Sequence, residues 1–228
     1  MELLNKIETY LESGKKRTFA GAIEWPGWCR SGRGEEAALQ ALLAYGPRYE
    51  KVLQMEQIRL QAPEDLSAFE IKERLDGTAT TDFGAPDIPP SGDARPVSLG
   101  DLERFETILK ACWEAFDLTL SEAAGVELSK GPRGGGRDQE GILRHVLGAD
   151  AAYLGRLGWK FKGNEGGDLQ QELRRTRQEI LRAVAAAARG ELSAQGPRGG
   201  IRWTPRYFIR RVVWHVLDHA WEIEDRIL

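Results

Sequence analysis

The hydrophobic pattern of this chain is mixed in its first part and helical in its last, and the change falls on a stretch that favours neither helix nor strand. Residues 76–97, DGTATTDFGAPDIPPSGDARPV, are rich in Gly, Pro, Thr and Asp. Such residues supply turn geometry and interrupt both helices and strands. Before this stretch, segments whose apolar residues alternate at period two flank one helical pattern. After it they recur every three to four residues. A chain that switches period in this way is expected to fold as two bodies, with residues 76–97 as the linker between them. The expected division is 1–75, 76–97 and 98–228.

Residues 1–75 read as a small α+β module. Two extended segments flank the turn-like ESGKK. In the second, Phe19, Ile23 and Trp25 share one face, with Gly21 between them, and Pro26 and Gly27 end the strand. WCRSG is a candidate third strand, and its Cys29 is expected to be exposed after the Pro-Gly turn. EEAALQALLAYGPRYEKVLQM has a helical pattern, with Glu35 and Glu36 in its first turn. AFEIKERLDG returns to a strand pattern. The second cysteine, Cys112, is expected to be a buried free thiol.

Residues 98–228 read as an all-α four-helix bundle. Ser98 with Asp101 makes a variant capping box at the first helix. Residues 134–136, KFKGNEGG and SAQGPRGGIRW interrupt the pattern. The second helix covers DQEGILRHVLGADAAYLGRLG. The third starts near Asp168. The fourth starts with Thr204 as N-cap and Pro205 at the first helical position, and runs to the end of the chain.

The chain contains three histidines, and all fall in this half. His215 and His219 are four residues apart on the fourth helix, so their rings leave one face a turn apart. Phe208, Val212 and Glu222 share that stripe. His145 lies on the second helix, on a face with Ile142, Ala149 and Ala152. Three neutral imidazoles on two helices make an open tetrahedral site for zinc, nickel or a similar ion. By spacing alone the pair reads rather as satisfied core histidines; what favours a site is that all three histidines fall on inward faces of the same half. It is not a zincin motif, because Val216 stands where that motif needs Glu. Glu222 is the candidate catalytic carboxylate: a fourth ligand, a partner behind a ligand, or a base. A solvated carboxylate explains it equally. Arg198, Arg202, Arg206, Arg210 and Arg211 cluster at the start of the fourth helix. Arg206 and Arg210 are the candidates to hold the carboxylate of a substrate or thiol cofactor; a solvated basic surface is the alternative. The tryptophans Trp113, Trp203, Trp214 and Trp221 serve as core or as pocket walls.

Residues 98–228 resemble the DinB-like superfamily. The likeness rests on LRHVLGADAAYL in the second helix and VVWHVLDHAWEIEDR in the fourth. It implies a metal-binding four-helix bundle with His145, His215 and His219 as ligands. It also implies one of two activities: hydrolysis of a small substrate, or transfer of a low-molecular-weight thiol to an electrophile. The transferase is the leading expectation, since a thiolate needs no base once ionised. The other class is a non-catalytic stress-response or binding protein that uses the bundle as scaffold. FAGAIEWPGWCRSGRGEEAALQAL resembles the strand, Pro-Gly turn, strand and helix of HicB-like domains. No ribbon-helix-helix segment follows it, so only the fold is carried over.

The net charge of −3 gives no general pull toward nucleic acid or anionic membrane. The chain has no spanning apolar run and no signal-peptide order, so a cytoplasmic location and a small-molecule substrate are expected. A homodimer is compatible with this composition.

Overall fold

The computed structural model describes residues 6–130, 136–164 and 166–227. It divides into two compact units, Met1–Arg95 and Pro96–Leu228.

The first unit is built on a four-stranded mixed sheet of order β3-β2-β1-β4. Strand β1, Ile7–Ser13, turns through Gly14 into β2, Thr18–Ala22, and the two pair antiparallel with Ser13 opposite Thr18. β3, Cys29–Gly32, extends the sheet antiparallel to β2. β4, Phe69–Asp76, returns parallel to β1, with a register shift between Thr9 and Tyr10. Gly21 stands opposite Tyr10, and a Cβ there would meet the Tyr10 ring at 2.4 Å. That close approach is why the middle of β2 has no side chain. β2 stops at Ala22, so Ile23 and Trp25 lie beyond the strand, with Ile23 buried and Trp25 half-buried.

The single helix expected over residues 35–55 is two helices, α1 Glu35–Ala44 and α2 Gly46–Met55, with Tyr45 ending one and beginning the other. Pro47 explains the break: it has no N–H to donate and its ring clashes with the turn before it. The Pro-Gly turn is anchored under these helices. The buried Trp28 indole donates to the Leu42 carbonyl at 2.8 Å and stacks on Tyr49, whose hydroxyl donates to the Pro26 carbonyl at 2.7 Å. Cys29 is buried too, with the Tyr10 hydroxyl 3.6 Å from its sulfur. The expectation of an exposed thiol is thus corrected: the turn folds inward under α1.

Residues 76–97 are not a plain linker. They carry a short helix α3, Ala79–Phe83, and a 3-10 turn, Ser91–Ala94. Through Arg95 they belong to the first unit. The cause is Glu12 on β1, whose side chain is buried. Its carboxylate accepts from the Thr81 hydroxyl, from Asp87 N–H at 2.9 Å and from Ile88 N–H at 3.1 Å. Burial raises the Glu12 pKa, and these three donors pull against the rise. Glu73 on β4 likewise accepts from the Ser91 N–H at 2.9 Å. A buried carboxylate satisfied this way holds the loop to the strand. Glu12→Ala leaves the half-buried Asp87 and Ile88 N–H groups without this acceptor and empties a buried site, so it is expected to destabilise the first unit by about 2 kcal/mol. Urea denaturation measures this, and Glu12→Gln should recover part of the loss.

The second unit consists of four long helices: α4 Leu99–Glu122, α5 Gln139–Leu157, α6 Leu169–Ala188 and α7 Pro205–Glu224. Each begins at a side-chain cap. Ser98, Asp138, Asp168 and Thr204 accept from the N–H three residues on. Ser98 and Asp101 form the full reciprocal box. α7 packs against α4, α5 and α6, and it is buried along most of its length. That central position takes Arg206, Arg210, Arg211, His215 and His219 out of water along with its apolar residues. Of the break expected at residues 134–136, only Gly136 lies within the described residues. Among the described residues no helix is long and apolar enough to cross a membrane.

Candidate metal centre

Helices α5 and α7 bring His145 against His215 and His219. The ring centroids lie 5.0 Å (His145–His215), 4.9 Å (His145–His219) and 4.6 Å (His215–His219) apart. The rings are mutually tilted or near perpendicular rather than stacked, at 65°, 87° and 88°. One nitrogen from each ring lies within 4.8 Å of the other two. Nε2 of His145 and Nε2 of His215 are 3.2 Å apart. A tetrahedral zinc ion with its usual bonds to nitrogen separates two such ligand atoms by about 3.3 Å.

Burial sets the protonation state. It pushes the His145 pKa down to about 4, and the neighbouring His219 and Arg137 charges push the same way. For His215 burial is again the main cause, followed by His219, His145, Arg211 and Arg137, and the pKa falls well below the ordinary value. Both rings are therefore neutral near pH 7, which is the form that ligates metal. The buried Nδ1 of His215 has no hydrogen-bond partner among the described residues.

His219 is oriented from behind. Its Nδ1 lies 2.7 Å from Oε2 of Glu222, which leaves Nε2 as the nitrogen that could ligate an ion. The other Glu222 oxygen accepts from Arg226 at 2.8 Å, and Arg226 also donates to the Ser129 carbonyl at 2.7 Å. The bond to His219 is the main reason the Glu222 pKa is lowered. Of the roles open to Glu222 in the sequence, this geometry matches the carboxylate behind a ligand. Both oxygens are engaged, so it is a positioning residue. Removing such a partner typically lowers metal affinity about 10–100-fold. Glu222→Ala is expected to show a loss of that size in a chelator competition, with His145 and His215 unchanged.

Arg206 and Arg210 sit differently from the clamp expected of them. The Arg206 guanidinium donates to Asp101 at 2.6 Å and to the Pro96 carbonyl at 3.1 Å, and it lies over the Phe105 ring. It ties the start of α7 to the start of α4 instead of waiting for a ligand. Arg210 is buried, and five residues before His215 it points away from the histidine stripe by about 140°. The arginine one turn before His215 is Arg211. Its guanidinium lies over Tyr153, Trp203 and Trp214 and donates to the Tyr153 hydroxyl at 3.2 Å. Tyr153 in turn lies 5.8 Å from the His215 ring. The four-residue spacing 211, 215, 219 was the available signal for Arg211. Nothing local marks Tyr153. Cys112 is fully buried, with its thiol pKa pushed up by desolvation.

No protein-family model, curated protein or solved structure matches the chain. The site is therefore read from its own geometry.

Proposed function

We propose that the second unit is a metal-dependent enzyme of the DinB-like kind, with His145, His215 and His219 holding one divalent ion, zinc or nickel. The observation that carries this reading is the convergence of three nitrogens within 4.8 Å, two of them on rings that burial keeps neutral. The donor set fits a borderline ion and leaves a coordination position over. Such an ion supplies Lewis acidity and ionises a coordinated water or thiol near neutral pH.

The chain's own residues do the rest. Glu222 fixes the tautomer and direction of His219, and Arg226 holds Glu222 in place. Tyr153, Trp203 and Trp214 surround Arg211 and keep its positive charge beside His215. Glu222, the carboxylate bonded to the triad among the described residues, has both oxygens engaged and neither is left to act as base. That favours a nucleophile needing no base once ionised, so the leading reaction is transfer of a low-molecular-weight thiol to an electrophile. Hydrolysis of a small substrate is the companion activity of the same class.

The test is a rate screen of tag-free protein with bacillithiol, mycothiol and glutathione against model electrophiles, and with simple esters and amides. The expected result is a thiol-dependent rate that chelation removes and zinc or nickel restores. If neither thiol transfer nor hydrolysis shows a metal-dependent rate, the reading gives way to a binding protein.

A further inference from the structure

Gly136 and Arg137, just ahead of α5, lie close to the residues that support His219. Gly136 has φ 149° and lies directly against Arg226: a Cβ there would meet the Arg226 guanidinium at 2.6 Å. Arg226 is the partner of Glu222, so this contact places the backbone of Gly136 beside the support of His219. One residue on, the stem of Arg137 lies over the first turn of α5. A Cβ on Gly141 would meet the Arg137 Cβ at 3.2 Å and its Cγ at 3.6 Å. Gly141 and His145 are four residues apart on α5, hence on one face. Arg137 thus lies along the face that carries His145, and the absent side chain at Gly141 is what makes room for it.

Arg137 is exposed, and no hydrogen bond or ion pair engages its guanidinium among the described residues. Its neighbour Asp138 does not neutralise it by contact, because that carboxylate caps α5 through the Gly141 N–H at 2.8 Å. Side chains on a helix lean back toward its N-terminus, so the His145 side chain leans toward the first turn of α5 that the Arg137 stem covers. Arg211, one turn before His215, is buried among three aromatic rings, and Arg226 is buried and bonded to Glu222. Arg137, by contrast, is exposed.

From this arrangement we infer that Arg137 binds the carboxylate of the ligand that occupies the open position, so the thiol or substrate of this site is a small carboxylate-bearing molecule. The inference rests on the metal-site reading above. It transfers to Arg137 the role that the sequence suggested for Arg206 and Arg210. A guanidinium matches a carboxylate by two parallel hydrogen bonds and orients it as well as attracting it.

The test uses the full chain loaded with cobalt in place of zinc, whose visible absorption reports a thiolate entering the coordination sphere. Mercaptopropionate and mercaptopropanol are titrated separately, at physiological salt, into the natural protein and into Arg137→Gln. The ratio of the two affinities should fall about tenfold in the variant, the size of one charge-assisted contact. Arg137→Lys, which keeps the charge without the fork, should fall between. An unchanged ratio in Arg137→Gln overturns the role of Arg137 while leaving the metal site intact. Failure of the natural protein to bind cobalt overturns the metal-site reading itself, and this inference with it.

Discussion

Replacing His215 with alanine is expected to strip the divalent ion from the second unit while leaving its helices in place. Structural zinc sites draw about 10–16 kcal/mol from four ligands, so one ligand accounts for about 3–4 kcal/mol, or roughly a 10²–10³-fold loss of affinity. His215 is the central member of the cluster. Its Nε2 faces that of His145, and its ring lies closest to that of His219. The helix itself does not depend on the imidazole, because α7 is packed by Ile209, Val212, Val213, Val216 and Leu217 along its length. Metal content by mass spectrometry should fall sharply, and far-ultraviolet circular dichroism should stay close to the natural protein. His145→Ala and His219→Ala should behave alike. If the His215 variant keeps its full metal content, the ion is held elsewhere.

A second large effect is expected at Asp150, which nothing in its neighbouring residues marks. It sits on the seam of α5 with Leu143, Val146 and Leu154, and it is buried. One carboxylate oxygen has no hydrogen-bond partner among the described residues. The nearby cation, Arg177, is already committed to both oxygens of Asp117, at 2.6 and 2.7 Å. Desolvation therefore dominates and raises the Asp150 pKa to about 7, against a lowering by the Arg177 charge. The raised value means that folding favours the protonated acid. Its contribution to stability is full below the unfolded pKa near 3.8 and is lost as pH rises through about 7. Asp150→Asn removes the ionisation and keeps the shape. At pH 8 it should stabilise the unit by about 2–4 kcal/mol, and the gain should vanish below about pH 4. Thermal melts of both proteins across that range measure it. An asparagine variant less stable at pH 8 would mean that Asp150 is ionised and paired in the fold.

What the sequence revealed and what it hid divide by distance along the chain. Helix starts are local, so Ser98 and Thr204 could be placed as caps and Asp168 near the start of its helix from their neighbours, and all three cap their helices. The strands were legible from their alternation and from the turns at Gly14 and Gly27. The triad was legible because two histidines lie on one helical face and the third lies on an apolar face of another helix. Residues 76–97 were misread as a linker because their partner, Glu12, lies 75 residues from Asp87. Turn-rich composition looks the same whether or not such a clamp exists. Arg206 misled for the same reason, since Asp101 is 105 residues away. The break before α2 was within reach, because Pro47 marks it. Arg137 was not, because its place depends on how the chain passes Arg226 and Gly141.

The central claim is that His145, His215 and His219 form one metal site, and zinc X-ray absorption of the full chain, purified without a histidine tag, tests it most directly. The account predicts about one zinc per chain, with three imidazole nitrogens and one further light atom at about 2.0–2.1 Å. A sulfur shell at about 2.3 Å, fewer than three imidazoles, or a protein that retains no metal after incubation with zinc would contradict it.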